Sequence, residues 1–320
     1  MQQQTDSLVR ELGVIARRAA HAGAPCRACG AAGTVLADRP DGTVVRHGDA
    51  VAKAHAPDTE TAAHRARLAV AAHPRLTGIL LPPLPAGAPQ VAGRPVSTWP
   101  YGSPVDPGDP DAAPWEEAAT LLARLHRVPP GELPGPLPAM RGPAKAARAV
   151  ARLAAAGPHP AAGPVRAAWR GLPAWARGEA PAPGPVAVCH GDLHLGQLVR
   201  HPAAGGPWLL IDVDDLGLGD PVWDLARPAA WYAAGLLAPG VWDRFLGAYR
   251  AAGGPAVPTE GDPWPRLDVP ARALTVQTAA LALVKSGTEK RDLDDVELSV
   301  LDACARIATL PPELDAGAPS

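Results

Sequence analysis

VAVCHGDLHLGQLVRHPAAGGPWLLIDVDDLGLGDPVWDLA, residues 186–226, is the stretch around which the chain is organised. Two short apolar runs, 186–189 and 208–213, lead into the carboxylates Asp192 and Asp212, and a Gly-rich, polar loop separates them. The pattern predicts two strands presenting acids at one edge. With His190, His194 and Gln197 beside them, such acids suit a site that holds a divalent cation and handles a proton. GLGDPVWDLA then predicts a helix with Asp220 as N-cap and Pro221 at its first position, which makes Asp220 and Asp224 architectural.

The string His190-Gly191-Asp192, then Gln197, then Asp212 inside LLIDVDD and the following GDPVWDLA, resembles the aminoglycoside phosphotransferase and choline kinase-like family. That family's usual signature is HGDxxxxN followed by an apolar strand ending in Ile-Asp. Gln197 stands here in place of the Asn. The resemblance implies an α+β, bilobal protein-kinase-like fold, with a small antiparallel-sheet N-lobe and a mainly helical C-lobe. It implies transfer of the γ-phosphoryl group of ATP, or GTP, to a hydroxyl of a small molecule. Asp192 would be the catalytic base, and Gln197 and Asp212 would hold Mg²⁺. His190 would buttress the loop, and Asp214 would offer a second metal contact.

Working outward, residues 34–55 contain three short β-branched runs, TVLAD, TVVRH and AVAKAHA, separated by turn signals, which predicts an antiparallel meander. Lys53 lies midway along its third strand, where the resemblance gives a lysine the nucleotide's phosphates. The template also asks for an acid on the next helix, and Glu60, at that helix's first turn, is the candidate partner. A carboxylate there is equally explained by the helix dipole. The RPDG turn, 39–42, is a weak phosphate cradle. GILLPPLP and RPVSTWPYGSP read as two further strands, and Thr98, Trp99, Pro100 and Tyr101 as the adenine-binding hinge. The expected organisation is an N-lobe over residues 1–98, a linker over 99–102 and a C-lobe over 103–320.

Elsewhere the period is helical: residues 6–20 (Leu8, Leu12, Val14, Ile15), 112–129, roughly 143–156 and 161–177. His126 ends the second of these and reads as structural. The acids Glu289, Asp292, Asp294, Asp295 and Glu297 form a run that either receives a polycationic acceptor or is a solvated face. Cys26-x-x-Cys29 is half a zinc pattern with no second half, so it reads as two incidental thiols.

Thirty basic against 32 acidic residues argue against a nucleic-acid or anionic-membrane partner. The N-terminal residues show no basic and apolar signal, and no apolar run reads as long enough to cross a bilayer, so a cytoplasmic location is expected. Two rivals remain: a catalytically impaired nucleotide-binding homologue, suggested by Gln197 and the placing of Glu60, and a metal-dependent phosphoesterase. The second would leave Lys53 without a role and needs more ligands than appear.

Overall fold

The computed structural model describes residues 2–21, 30, 32–39, 41–85 and 89–310, with side chains from residue 6 onward. Cys26 and Cys29, and Pro40 of the RPDG turn, lie outside the described residues. In chain order the elements are α1 (Gln2–Ala20), β1 (Thr34–Arg39), β2 (Gly42–His47), β3 (Ala50–His55), α2 (Thr61–Ala71), β4 (Gln90–Val91), β5 (Arg94–Pro100) and β6 (Ser103–Pro104). They continue with α3 (Trp115–His126), α4 (Gly142–Ala155), α5 (Ala162–Arg170), β7 (Ala187–Cys189), β8 (Leu198–Arg200), β9 (Trp208–Leu210) and β10 (Gly217–Gly219). Four helices close the described chain: α6 (Val222–Ala233), α7 (Pro239–Ala251), α8 (Trp264–Glu289) and α9 (Asp295–Ile307).

The chain forms two compact units. The first comprises Met1–Pro114, Gly131–Pro138 and Leu195–Asp214; the second comprises Trp115–Pro130, Ala139–His194 and Asp215–Ser320. This departs from the expected boundaries at 98 and 103. Residues 103–114 and 195–214, with Gln197 and Asp212, belong to the unit that carries Lys53.

In the first unit, five strands run antiparallel in the order β1-β2-β3-β5-β4. Side chains alternate across a strand, so Ala52 and Ala54 of β3 face one side and Lys53 and His55 the other. Leu8, Leu12 and Ala16 of α1, spaced one helical turn apart, pack on Val45, Ala52 and Ala54. Val14, expected on that stripe, is exposed. The helix therefore takes the apolar face, and Lys53 is left on the opposite one. GILLPPLP is not a strand: Leu80 makes a single bridge to Leu210, and Pro82, Pro83 and Pro85 have no N–H with which to extend a ladder.

The two runs of the 186–226 stretch do not pair with each other. β7 pairs antiparallel with β10 in the second unit, whereas β9 pairs with β8, and β8 with β6, in the first. The rest of the second unit is helical. α8 is its central element, packing on α4, α5, α6 and α9, and Ala149, Val165, Val276, Leu283 and Val300 share one buried cluster. Contrary to expectation, α8 is long and apolar enough to cross a membrane by length and composition. Seventy-two per cent of its most apolar window is buried inside the protein, as befits a core helix.

Candidate functional site

In the first unit, Lys53 is the centre of a half-buried ion cluster. Its Nζ lies 2.6 Å from Asp212 Oδ1 and 2.9 Å from Asp214 Oδ2, and its side chain is 13% exposed. Burial alone would lower the lysine's pKa, but the two carboxylates outweigh it and raise the value above the ordinary one. Burial likewise pushes the Asp214 carboxyl up, and Lys53, aided by His55, pulls it well below the usual range. His55, two residues past Lys53 and so on the same strand face, sets Nδ1 2.8 Å from Asp214 Oδ1. Its Nε2 lies 2.7 Å from Ser97 Oγ, which accepts the Trp99 indole N–H at 2.8 Å. Asp214 thus holds the lysine and is itself backed by β3 and β5.

Asp212 follows β9 with a φ of 63°. That left-handed conformation is uncommon for a residue other than Gly, although Asp tolerates it better than most, and it turns the chain out of the strand. A backbone bond from Ile211 N to Gln197 O, 2.9 Å, extends the β8–β9 pairing and sets Gln197 beside the residue that precedes Asp212. Among the described residues, Asp212 Oδ2 and the Gln197 amide oxygen have no hydrogen-bond partner. Asp212 Oδ2 is an open oxygen donor in a cluster of two carboxylates and one ammonium, and with the Gln197 amide oxygen, borne on the neighbouring strand pairing, it is of the chemical type a hard divalent cation such as Mg²⁺ takes.

One sequence expectation fails in this unit. Glu60 is not the partner of Lys53: its carboxylate accepts the N–H groups of Ala62 (2.8 Å) and Ala63 (2.5 Å) and caps α2. The helix residue that reaches this cluster is His64, whose ring lies 4.1 Å from that of His55. The expected hinge, residues 98–101, coincides with the end of β5. Thr98, Trp99 and Pro100 are strand residues of β5; the Thr98 carbonyl accepts from Leu84 N, and the Trp99 ring is buried. Tyr101 N donates to Asp49 O, Tyr101 O is 3.0 Å from His201 Nδ1, and the Arg46 guanidinium lies over its ring at 3.3 Å.

In the second unit, β7 delivers the His190-Gly191-Asp192 turn. Asp224, fully buried on α6, accepts the backbone N–H groups of His190 (2.6 Å) and Gly191 (2.7 Å), and His126 Nε2 lies 2.9 Å from it. His126 Nδ1 is 2.8 Å from the Tyr249 hydroxyl. Asp224 and His126 are therefore architectural, as expected, and His190 is buried. Gly191 has φ 86°, and a Cβ there would collide with the Asp215 carbonyl, so this position of the motif admits only glycine. Asp220 accepts Val222 N at 3.1 Å and pairs with Arg266 at 2.8 Å.

Asp192 is held by two cations, Lys145 Nζ on Oδ2 at 2.7 Å and Arg227 Nη2 on Oδ1 at 2.6 Å. Lys145 also binds Asp215 at 2.6 Å, and Arg141 Nε stands 3.4 Å from the other oxygen of Asp215. Burial pushes the Asp192 carboxyl up, but Lys145 and then Arg227 outweigh it and hold the value below the ordinary one. His194, neutralised chiefly by burial, falls to about 4. Lys145 precedes Asp192 by 47 residues, and nothing local in the sequence marks it; Arg227 stands one helical turn beyond Asp224, a spacing that could have flagged it. Three acids of the run near the C-terminus have local partners. Arg291 bridges Glu289 and Glu297, and Asp294 with Glu297 forms the capping box of α9.

The phosphotransferase enzyme family, APH, matches residues 15–268, most of the chain. No curated protein matches the sequence. Among solved structures, the chain is similar to a choline/ethanolamine kinase family protein from Mesorhizobium loti, at 17% identity, TM-score 0.59 and 96% coverage of both chains. It is also similar to the macrolide 2'-phosphotransferase MphH from Brachybacterium faecium, at 21% identity and TM-score 0.51, covering 94% of this chain and 100% of that one. A third is the aminoglycoside phosphotransferase APH(4)-Ia in ternary complex with AMP-PNP and hygromycin B, at 13% identity and TM-score 0.56, covering 87% and 95%. The chain belongs to the phosphotransferase enzyme family and shares the protein-kinase-like fold of these structures.

Proposed function

We propose that the chain transfers the γ-phosphoryl group of ATP to a hydroxyl of a small molecule, with Lys53 on the nucleotide's phosphates and Asp192 as the base. The carrying observation is the Lys53–Asp212 pair at 2.6 Å, which joins residues 159 positions apart. A phosphate-binding lysine and a metal-binding aspartate are the groups that phosphoryl transfer requires. Mg²⁺, when bound, would neutralise phosphate charge, and Asp212 with Gln197 would hold it. Lys53 is kept charged by its carboxylates and can donate to phosphate oxygens. Asp192 is kept ionised by Lys145 and Arg227, which makes it a weak base. A weak base suits a loose transition state, in which the acceptor hydroxyl is oriented first and loses its proton late.

A second reading, a nucleotide-binding homologue without turnover, is favoured by Gln197 in place of Asn and by Glu60 serving as a helix cap. One set of experiments separates the two. Mg²⁺-dependent thermal stabilisation by ATP is expected in the wild type and should be lost in Asp212→Ala. Phosphorylated product from a panel of hydroxyl compounds, abolished in Asp192→Ala, selects the kinase. Stabilisation with no product from any acceptor selects the impaired homologue. Release of phosphate from aryl phosphates without nucleotide would sink both.

A further inference from the structure

The groups around Asp192 carry more cation than the carboxylate needs. Arg141, Lys145 and Arg227 converge on two acids, Asp192 and Asp215, and each of the four carboxylate oxygens already faces a cation. The donors are not used up. Arg227 spends Nε on Leu193 O and Nη2 on Asp192, leaving Nη1. Arg141 offers only Nε to Asp215, and among the described residues both of its terminal nitrogens lack a partner. The side chain of Arg141 is 31% exposed and so reaches solvent, and that of Lys145, which spans the two carboxylates, is 26% exposed. Arg141 and Lys145 lie four residues apart at the start of α4, on one helical face. Arg141 and Arg227 thus keep unspent donors with positive charge in a cluster that sets three cations against two carboxylates.

We propose that Arg141, Lys145 and Arg227 form an oxyanion site beside Asp192, and that the acceptor is an anionic hydroxy compound, carrying a carboxylate or phosphate, rather than a polycationic one. This rests on Asp192 being the base of the transfer. The oxyanion has two possible sources, the acceptor's own anionic group or the phosphoryl group in transfer. Both present the same acceptor-rich oxygens to the guanidinium fork.

The test uses the full-length chain with MgATP and three acceptor classes: hydroxy acids and sugar phosphates, neutral sugars, and aminoglycosides with choline. Product is expected from the anionic class. With the best acceptor, Arg141→Gln should raise KM about tenfold or more, with kcat nearly retained, if the acceptor's own charge is bound. A fall in kcat of similar size at unchanged KM assigns the site to the phosphoryl group, and Arg141→Lys should recover part of either loss. Preference for the polycationic class, or an Arg141→Gln variant equal to wild type in both constants, overturns the site. Inorganic sulfate supplies a readout that needs no turnover. It should raise the Tm of the wild type more than that of Arg141→Gln, and equal shifts count against the site. Thermal stabilisation by MgATP is measured alongside: if it persists when the site is overturned, the phosphotransferase reading stands, and if it is absent that reading falls by itself.

Discussion

Replacing Asp214 by Asn removes one of the two carboxylates that hold Lys53 while leaving Asp212 in place. Stripping a buried charge of its partner costs about 3–5 kcal/mol. Lys53 keeps Asp212 at 2.6 Å, and Asp214 is 26% exposed, so we expect a smaller loss, about 2 kcal/mol at pH 7. The sign of the pH dependence follows from the two shifts. The Asp214 carboxyl is depressed in the folded chain, so its contribution is fully present above its unfolded value of about 4 and is lost as pH falls toward its folded value. The deficit of the variant should therefore shrink by about 1.4 kcal/mol per pH unit below about pH 4. Lys53 is shifted the other way, so its share is present below its ordinary value and is lost only in strong alkali. Urea unfolding of wild type, Asp214→Asn, Lys53→Met and the double variant, at pH 7, 5 and 3, measures both the loss and the coupling. Additive single losses at pH 7, or a deficit as large at pH 3 as at pH 7, would show that the pair is not the interaction described here.

Two further perturbations test other parts of the frame. Asp224→Asn leaves the backbone N–H groups of His190 and Gly191 facing a neutral amide in a fully buried place, and should cost about 3 kcal/mol. Denaturation against phosphoryl-transfer rate should show activity falling further than the folded fraction, because the turn that carries Asp192 loses its anchor. His64 is depressed to about 4, by burial first and the neighbouring His55 second. A depressed histidine contributes stability above its ordinary value of 6.5 that is lost as pH falls toward 4, a change of at most about 3 kcal/mol. His64→Leu should flatten that part of the stability profile, and a slope unchanged from wild type would exclude His64 as its source.

How much was legible depended on range. The meander, the lysine on its third strand and the face given to α1 follow from periods of two and of 3.6, which a sequence displays directly. His190-Gly191-Asp192 was legible because its glycine is obligatory: at φ 86° no side chain fits beneath Asp215. What escaped was pairing between distant segments. The two apolar runs read as strands presenting acids at one edge, yet β7 takes β10 and β9 takes β8, because the intervening chain supplies a strand of its own. Glu60 illustrates local competition, since a carboxylate at a helix start satisfies two N–H groups one turn away before it reaches a lysine. The extent of β5 escaped as well: it runs to Pro100, so part of the stretch expected as a linker is strand. Lys145 could not have been found, as nothing in an alanine-rich helix marks one lysine as an aspartate's partner.

Each unit holds a lysine between two aspartates, and the VDD turn at Val213–Asp215 gives one carboxylate to each: Asp214 to Lys53 and Asp215 to Lys145. The clusters nevertheless differ in sign. Around Lys53, two carboxylates stand against one ammonium, a net negative group that would repel bare triphosphate and gains from a divalent cation. Around Asp192, two carboxylates stand against Lys145, Arg141 and Arg227, a net positive group that favours oxyanions. The difference separates the two ligand requirements: cation dependence should belong to nucleotide binding and should vanish in Asp212→Ala, whereas discrimination by acceptor charge should belong to Arg141 and persist whichever nucleotide is used. A single variant that altered both together would show that the two clusters do not divide the chemistry in this way.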